Sequence, residues 1–169
     1  MDRESLRTVQ QPLKDRYRSE PAAALVTLRA DGALGEGVTC SVQTGRALVE
    51  AGLHPASGGA GLSVCSGDML LQALVACAGV TLNSVATSME IPIEQATVHA
   101  EGDLDFRGTM AVSKDAPVGF AAIRLRFELE SSAPAEQLDR LVELTERYCV
   151  VYQTLLNAPP VDVTRSAFQ

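Results

Sequence analysis

Between Asp68 and Glu90 the chain runs for twenty-one residues without a charge, and the hydrophobic pattern differs on either side of that stretch. After it the period is two. In "TVHAEGDLDF", Val98, Ala100, Leu104 and Phe106 alternate with His99, Glu101, Asp103 and Asp105. In "IRLRFELE", Ile123, Leu125, Phe127 and Leu129 fall on one face and Arg124, Arg126, Glu128 and Glu130 on the other. Such alternation predicts half-buried antiparallel strands with one wet side. "RGTMAVSKDAPVGF" joins them, as a further short strand or a long hairpin loop. From Ser132 the period becomes helical, with a capping Ser, Pro134 in the first turn and a stripe of Leu138, Leu141, Val142 and Leu144. A second helix is expected to begin near Cys149. Pro159 and Pro160 stop it, and "VDVTR" is a candidate last strand.

Ahead of the uncharged stretch, residues 1–21 read as a polar arm. "AAALVTLRADG" and "GEGVTCSVQTG" predict two strands joined by a Gly-containing turn, and "RALVEAG" a possible third. "LHPASGGAGLSVCSG" is a Gly- and Ser-rich loop. The order of strands, helix, strands and helices predicts one α+β domain over residues 22–169, with helices on one face of an antiparallel sheet.

The stretch from Ser66 to Glu90 is long enough for a membrane span. Gln72, Thr81, Asn83, Ser84, Thr87 and Ser88 are spread through it, and no Lys or Arg flanks it to set an orientation. A one-sided sheet also needs a helix to cover it. The expectation is therefore a core helix, buried nearly all round, and not a membrane protein. Ala73, Ala76, Ala78, Gly79 and Ala86 are small enough for a neighbouring backbone to come close. One sheet face covers one side of such a helix, so a second copy of the chain is expected on the other, as an obligate homodimer. Packing by the two C-terminal helices would leave a similar pattern.

Composition narrows the functional classes. A net charge of −7 argues against nucleic acid as partner. The N-terminal residues lack the apolar core of a secretory signal, which makes the cytoplasm the expected compartment. Cysteines 40, 65, 77 and 149 should then be reduced at rest rather than form a structural framework. Neither a Cys-x-x-Cys pair nor a Cys/His pair at ligand spacing occurs, so no metal is expected. "GGAGLSVCSG" has no phosphate-loop or dinucleotide pattern, and no cofactor is expected.

Cys77 sits mid-helix, with Ala73, Leu74, Val80 and Thr81 as its spiral neighbours. The plain reading is a small buried hydrophobe, since apolar burial raises a thiol's pKa and only the thiolate attacks. A reactive Cys77 would need a cation from elsewhere in the fold, or from the partner subunit; a Cys–His hydrolase with His54 as base is a separate option.

"SGDMLLQALVACAGVTL" and "ERYCVVYQTL" resemble the two cysteine motifs of the OsmC/Ohr family, the osmotically induced and organic-hydroperoxide-resistance proteins. The two cysteines stand 72 positions apart, and the order of elements is similar over roughly residues 22 to 165. The resemblance implies an OsmC-like fold and an intertwined homodimer with paired central helices. It also implies a thiol peroxidase for organic hydroperoxides, acting in oxidative-stress defence. In that role Cys77 would be the peroxidatic thiolate and Cys149 the resolving thiol, reset by an external dithiol such as a lipoylated or thioredoxin-like protein.

This chain departs from the family pattern at several points. The family's Arg has no counterpart in "GALGEG". Arg29 and Arg46 are candidates by neighbourhood, and a solvated strand-edge charge is the plainer reading of each. Asp68 is the match for the family's acidic residue, yet nine helical residues put it about 13 Å from Cys77 and on the opposite face. There it is simply a first-turn carboxylate favoured by the helix dipole. Val150 stands where many relatives have Pro. Two other readings stay open: a non-catalytic stress or small apolar ligand-binding protein, and a redox sensor.

Overall fold

A computed structural model describes residues 2–20, 32–34, 39–44 and 47–166, with side chains described throughout 48–166 and for most of 2–20. The strand expected over 22–32 falls mostly outside the described residues, as do Arg29 and Arg46.

The arm is a helix, α1 (Arg3–Ser19), with Pro12 inside it. Arg3 of α1 pairs with Glu90. Three antiparallel strands follow: β1 (Gly32–Leu34), β2 (Thr39–Thr44) and β3 (Ala47–Gly52). The chain turns over Pro55–Ser57, where Gly58 adopts the left-handed conformation (φ 92°) that glycine takes without strain. It then adds β4 (Val64–Cys65) parallel to β3 and enters α2 (Ser66–Met89). β5 (Gln95–Leu104) pairs antiparallel with β6 (Phe120–Glu130) as a separate two-stranded sheet. Two helices close the fold, α4 (Ala135–Tyr148) and α5 (Val150–Leu156). The expected single antiparallel sheet is thus two sheets, one of them with a parallel edge.

Helix α2 ends where Glu90 turns left-handed (φ 57°) and the Ile91 amide donates to the Ala86 carbonyl at 3.0 Å. Pro92 forbids continuation. Its buried residues are Leu74, Ala78, Leu82 and Ala86, spaced by four and so on one stripe. They meet β5, α4 and α5, which makes α2 the core helix of the domain. Gln72, Ala73, Ala76, Val80 and Asn83, on the far side, are exposed in the single chain, which is the side expected to meet a second copy.

The core has two clusters. Leu82, Ala86, Ile91 and Leu141 form one, and Leu74, Ala78 and Cys149 the other, with Phe127 packed against both. The inward face of β6 is the one the alternation predicts, with Ile123, Leu125, Phe127 and Leu129 half-buried. The outward face is wet, and there Arg124 pairs with Asp103 and Glu101. These exposed pairs fix register more than they add stability.

Three local expectations are corrected. Phe106 is not on the strand: β5 ends at Leu104, and Asp105 caps a short turn, α3 (Phe106–Thr109), by accepting from the Arg107 amide at 3.1 Å. The "RGTMAVSKDAPVGF" link is that turn followed by a loop. Ser132 does not cap α4, whose N-cap is Pro134; the Ser132 amide donates to Glu94 Oε1 at 3.3 Å instead. "VDVTR" forms no strand, because no strand edge lies against it.

Candidate active site

A break between two helices builds the site. Helix α4 stops at Cys149, whose extended backbone (φ −73°, ψ 109°) is the C-cap of α4 and the N-cap of α5. The Cys149 amide still donates to the Thr145 carbonyl at 2.9 Å, and its carbonyl accepts from the Gln153 amide at 2.9 Å. A helix break leaves terminal carbonyls without partners. The Gln153 side chain supplies one, donating from Nε2 to the Glu146 carbonyl at 2.9 Å. Thr145, fully buried, returns its own hydroxyl proton to the Leu141 carbonyl at 2.8 Å. The corner is therefore rigid, and it carries Cys149 into the interior against Leu74 and Ala78 of α2.

Cys77 stands beside that stripe, half-buried and packed on the same cluster as Cys149. The two thiols, remote in sequence, pack in one cluster, near enough for each to shift the other's titration. Their environments push them apart. Burial raises the pKa of Cys77, but the Val151 amide, the Cys149 thiol, the Val150 amide and the Thr81 hydroxyl together leave it below that of an ordinary cysteine. Burial also raises Cys149, and proximity to Cys77 adds to it; the Tyr152 and Val151 amides oppose this without forming a capping hydrogen bond, and Cys149 ends above the ordinary value. The first proton lost from the pair leaves Cys77, and Cys149 stays a thiol that can donate to the thiolate.

No charged side chain is among the groups that lower Cys77. Among the described residues, which exclude Arg29 and Arg46, the groups that lower it are backbone amides in the first turn of α5, the Cys149 thiol and the Thr81 hydroxyl. Val150→Pro tests this. Proline suits the first position of a helix, and Cys149 is already extended as the residue before a proline must be. The variant should fold, lose one amide donor and move the pH midpoint of Cys77 alkylation upward. Iodoacetamide rates across pH, with Cys77 quantified by peptide mapping, give the reading; an unmoved midpoint would mean that the amide has no hold on the thiolate.

The remaining candidates lie elsewhere. Asp68 is exposed in the first turn of α2, and the helix runs unbroken from there to Cys77. Asp68 lines a cleft of about 360 Å³ with His54, Cys65, Phe106 and Phe120, away from the thiol pair. His54 is engaged in its own loop: Nδ1 accepts from the Ala56 amide at 3.0 Å and the ring stacks on Phe106 at 5.0 Å. It forms no pair with Cys77, so the Cys–His option is corrected. Cys40 is on β2 opposite Ala51. Among the described residues no group of three His, Cys, Asp or Glu is placed to hold a metal ion.

An apolar substrate pocket is expected from the sequence at a dimer interface; within the single chain, a cleft shares walls with the cysteine cluster. It measures about 620 Å³ and is walled by Leu70, Leu74, Phe120, Ile123, Leu125, Tyr152, Leu155 and Leu156, with Glu146 as its charged member. Leu74, Ile123, Leu125 and Tyr152 also pack in the cysteine cluster. Burial first, then the Glu146 carboxylate, raises the pKa of the Tyr152 phenol. The spacing Cys149, Tyr152, Leu156 along one helix face was the available signal.

The fold has known counterparts. No curated protein gives a significant match to the sequence. Among solved structures, an OsmC-like protein from Mycoplasma pneumoniae superposes with a TM-score of 0.68 at 17% identity, over 79% of this chain and 89% of that one. An organic hydroperoxide resistance protein from Elizabethkingia anophelis gives 0.63 at 20%, over 79% and 91%. An organic hydroperoxide resistance protein OsmC from Legionella pneumophila gives 0.62 at 16%, over 79% and 91%. The OsmC-like protein family matches residues 59–164, a span that contains the core helix, Cys77 and Cys149. The chain belongs to the OsmC-like protein family.

Proposed function

We propose that the protein is a cysteine peroxidase that reduces organic hydroperoxides in oxidative-stress defence. The observation that supports this reading best is the packing of Cys77 and Cys149 in one cluster with Leu74 and Ala78. There the surroundings draw the pKa of Cys77 below the ordinary value and push that of Cys149 above it. The names of the Legionella and Elizabethkingia proteins point the same way. The Cys77 thiolate attacks the terminal peroxide oxygen, the O–O bond breaks, and the alkoxide takes a proton to leave as alcohol. Cys77 becomes a sulfenic acid. The Cys149 sulfur then displaces its hydroxyl as water, closing a disulfide. An external dithiol, lipoylated or thioredoxin-like, reduces that bond and is itself oxidised. Asp68, the third candidate, stands exposed in the first turn of α2, where the helix dipole favours a carboxylate. Stoichiometric conversion of cumene hydroperoxide to cumyl alcohol, sustained by dihydrolipoamide, tests the reading, and absence of turnover with any dithiol would end it.

The reading includes a homodimer in the cytoplasm, with residues 1–21 as an arm to a single domain. The exposed side of α2, with Ala76 and 74%-exposed Val80 opposite the buried stripe, is an apolar surface that a second copy of the helix would cover. Light scattering should then give twice the chain mass of 17.9 kDa, and Val80→Asp should shift the protein toward single chains. A wild-type protein that scatters as one chain at micromolar concentration would contradict the dimer. A non-catalytic ligand-binding role uses the same cleft, and differs in leaving both thiols unchanged after exposure to hydroperoxide.

A further inference from the structure

We propose that Glu146 is a specificity-determining residue, which turns the cleft beside the thiol pair against hydroperoxides that carry a carboxylate and toward uncharged ones. The inference rests on the peroxidase reading and deepens it. Cleft and thiols share walls: Leu74 and Tyr152 line the one and pack on the cluster that holds the other. A molecule filling the cleft therefore lies against the Leu74 and Tyr152 side chains that pack on the cysteine cluster. Every other wall is apolar or, at Tyr152, a neutral phenol, and no Lys, Arg or His is among the lining residues. Among the described residues, a carboxylate entering this space finds no cation and meets the Glu146 carboxylate.

Glu146 stands at the corner between α4 and α5, where its backbone carbonyl accepts from Gln153 Nε2 at 2.9 Å. Its side chain is half-buried, which keeps it from swinging fully into solvent. Its field reaches the cleft interior, because it adds to burial in opposing ionisation of Tyr152. The chain's net charge of −7 offers nothing to offset it. Two like charges several ångströms apart near a protein surface correspond to roughly tenfold discrimination.

The test compares kcat/KM for cumene hydroperoxide and its para-carboxylate, two substrates with the same reacting centre. Each ratio is taken on one protein sample, so loss of folded material cancels. Wild type should favour the neutral substrate by about tenfold over the ratio shown by a free thiol. Glu146→Gln should bring the preference close to the free-thiol value, and Glu146→Lys should reverse it; added salt should weaken both effects. The same ratio in all three proteins overturns the inference and leaves the peroxidase reading standing. If no form turns over either substrate, that reading fails, and binding of cumyl alcohol against its para-carboxylate by calorimetry decides the inference. Tighter binding of the neutral alcohol, lost in Glu146→Gln, supports it; equal binding, or none, overturns it.

Discussion

Replacing Cys77 by serine is expected to lower hydroperoxide turnover by roughly a thousandfold or more, because the reaction loses its nucleophile and not merely a contact. A serine hydroxyl has a pKa far above neutrality, and the amides of Val150 and Val151 that favour a thiolate cannot ionise it at pH 7. The Cys149→Ser variant separates the two sulfurs. Cys77 should still attack once, releasing one alcohol per chain and leaving a sulfenic acid that dimedone traps. Turnover with a dithiol should fall sharply, since no neighbouring thiol condenses with the sulfenic acid. Without Cys149 the attack should also be somewhat slower, as the Cys149 thiol is among the groups that lower the pKa of Cys77. Alcohol release by chromatography and dimedone adducts by mass spectrometry read the two variants. Full activity in Cys77→Ser would reassign the chemistry to another residue.

Leu141→Ala is expected to cost about 2–5 kcal/mol of stability. Leu141 is fully buried in α4, in one cluster with Leu82 and Ala86 of α2 and Ile91 just beyond it. Truncation removes most of a side chain from a site walled by two long helices and a sheet, where neighbours cannot close the gap without moving a helix. The same seam sets the position of the thiol pair. Leu141 is one turn before Thr145, which lies one turn before Cys149, and hydrogen bonds link the three in series. A looser α4 should therefore separate the sulfurs as well as lower stability. Urea unfolding at fixed protein concentration checks the first effect, with the m-value unchanged if the native fold is kept. A loss below 1 kcal/mol would mean that the cavity collapses freely and that α4 is not rigidly docked.

Much of the architecture was legible because it follows from short-range rules. Alternation named the buried face of β6 residue by residue, and the absence of charge marked α2 at nearly its full length. The misreadings share one cause. Phe106 fits the period-two pattern, but Asp105 offers its own amide-capping geometry and ends the strand first. Ser132 has the chemistry of a cap, yet tertiary contact with Glu94 takes its amide and the helix starts later. The parallel pairing of β4 with β3 depends on how a glycine-rich loop folds back, which no local pattern records.

The site divides in the same way. Each cysteine could be found in the sequence through its own motif, and the helix break at Cys149 was foreshadowed by the helix expected to begin there. The packing of the two in one cluster depends on tertiary contacts that no local pattern shows. The sequence led to a search for a cation near Cys77, and backbone amides have no letter in a sequence. Thr81 was visible as a spiral neighbour of Cys77, though not as a donor to it. Asp68 was correctly placed on the wrong side of α2, since a straight helix converts residue number directly into angle.

The central claim is that Cys77 and Cys149 form one redox couple. It is tested most directly by treating fully reduced protein with one equivalent of cumene hydroperoxide and mapping its peptides without reductant. The account predicts loss of two thiols per chain, an intact mass lower by two hydrogens, and a single linked peptide pair joining residue 77 to residue 149, with Cys65 still alkylatable. Four unchanged thiols, or oxidation confined to Cys65, would contradict it.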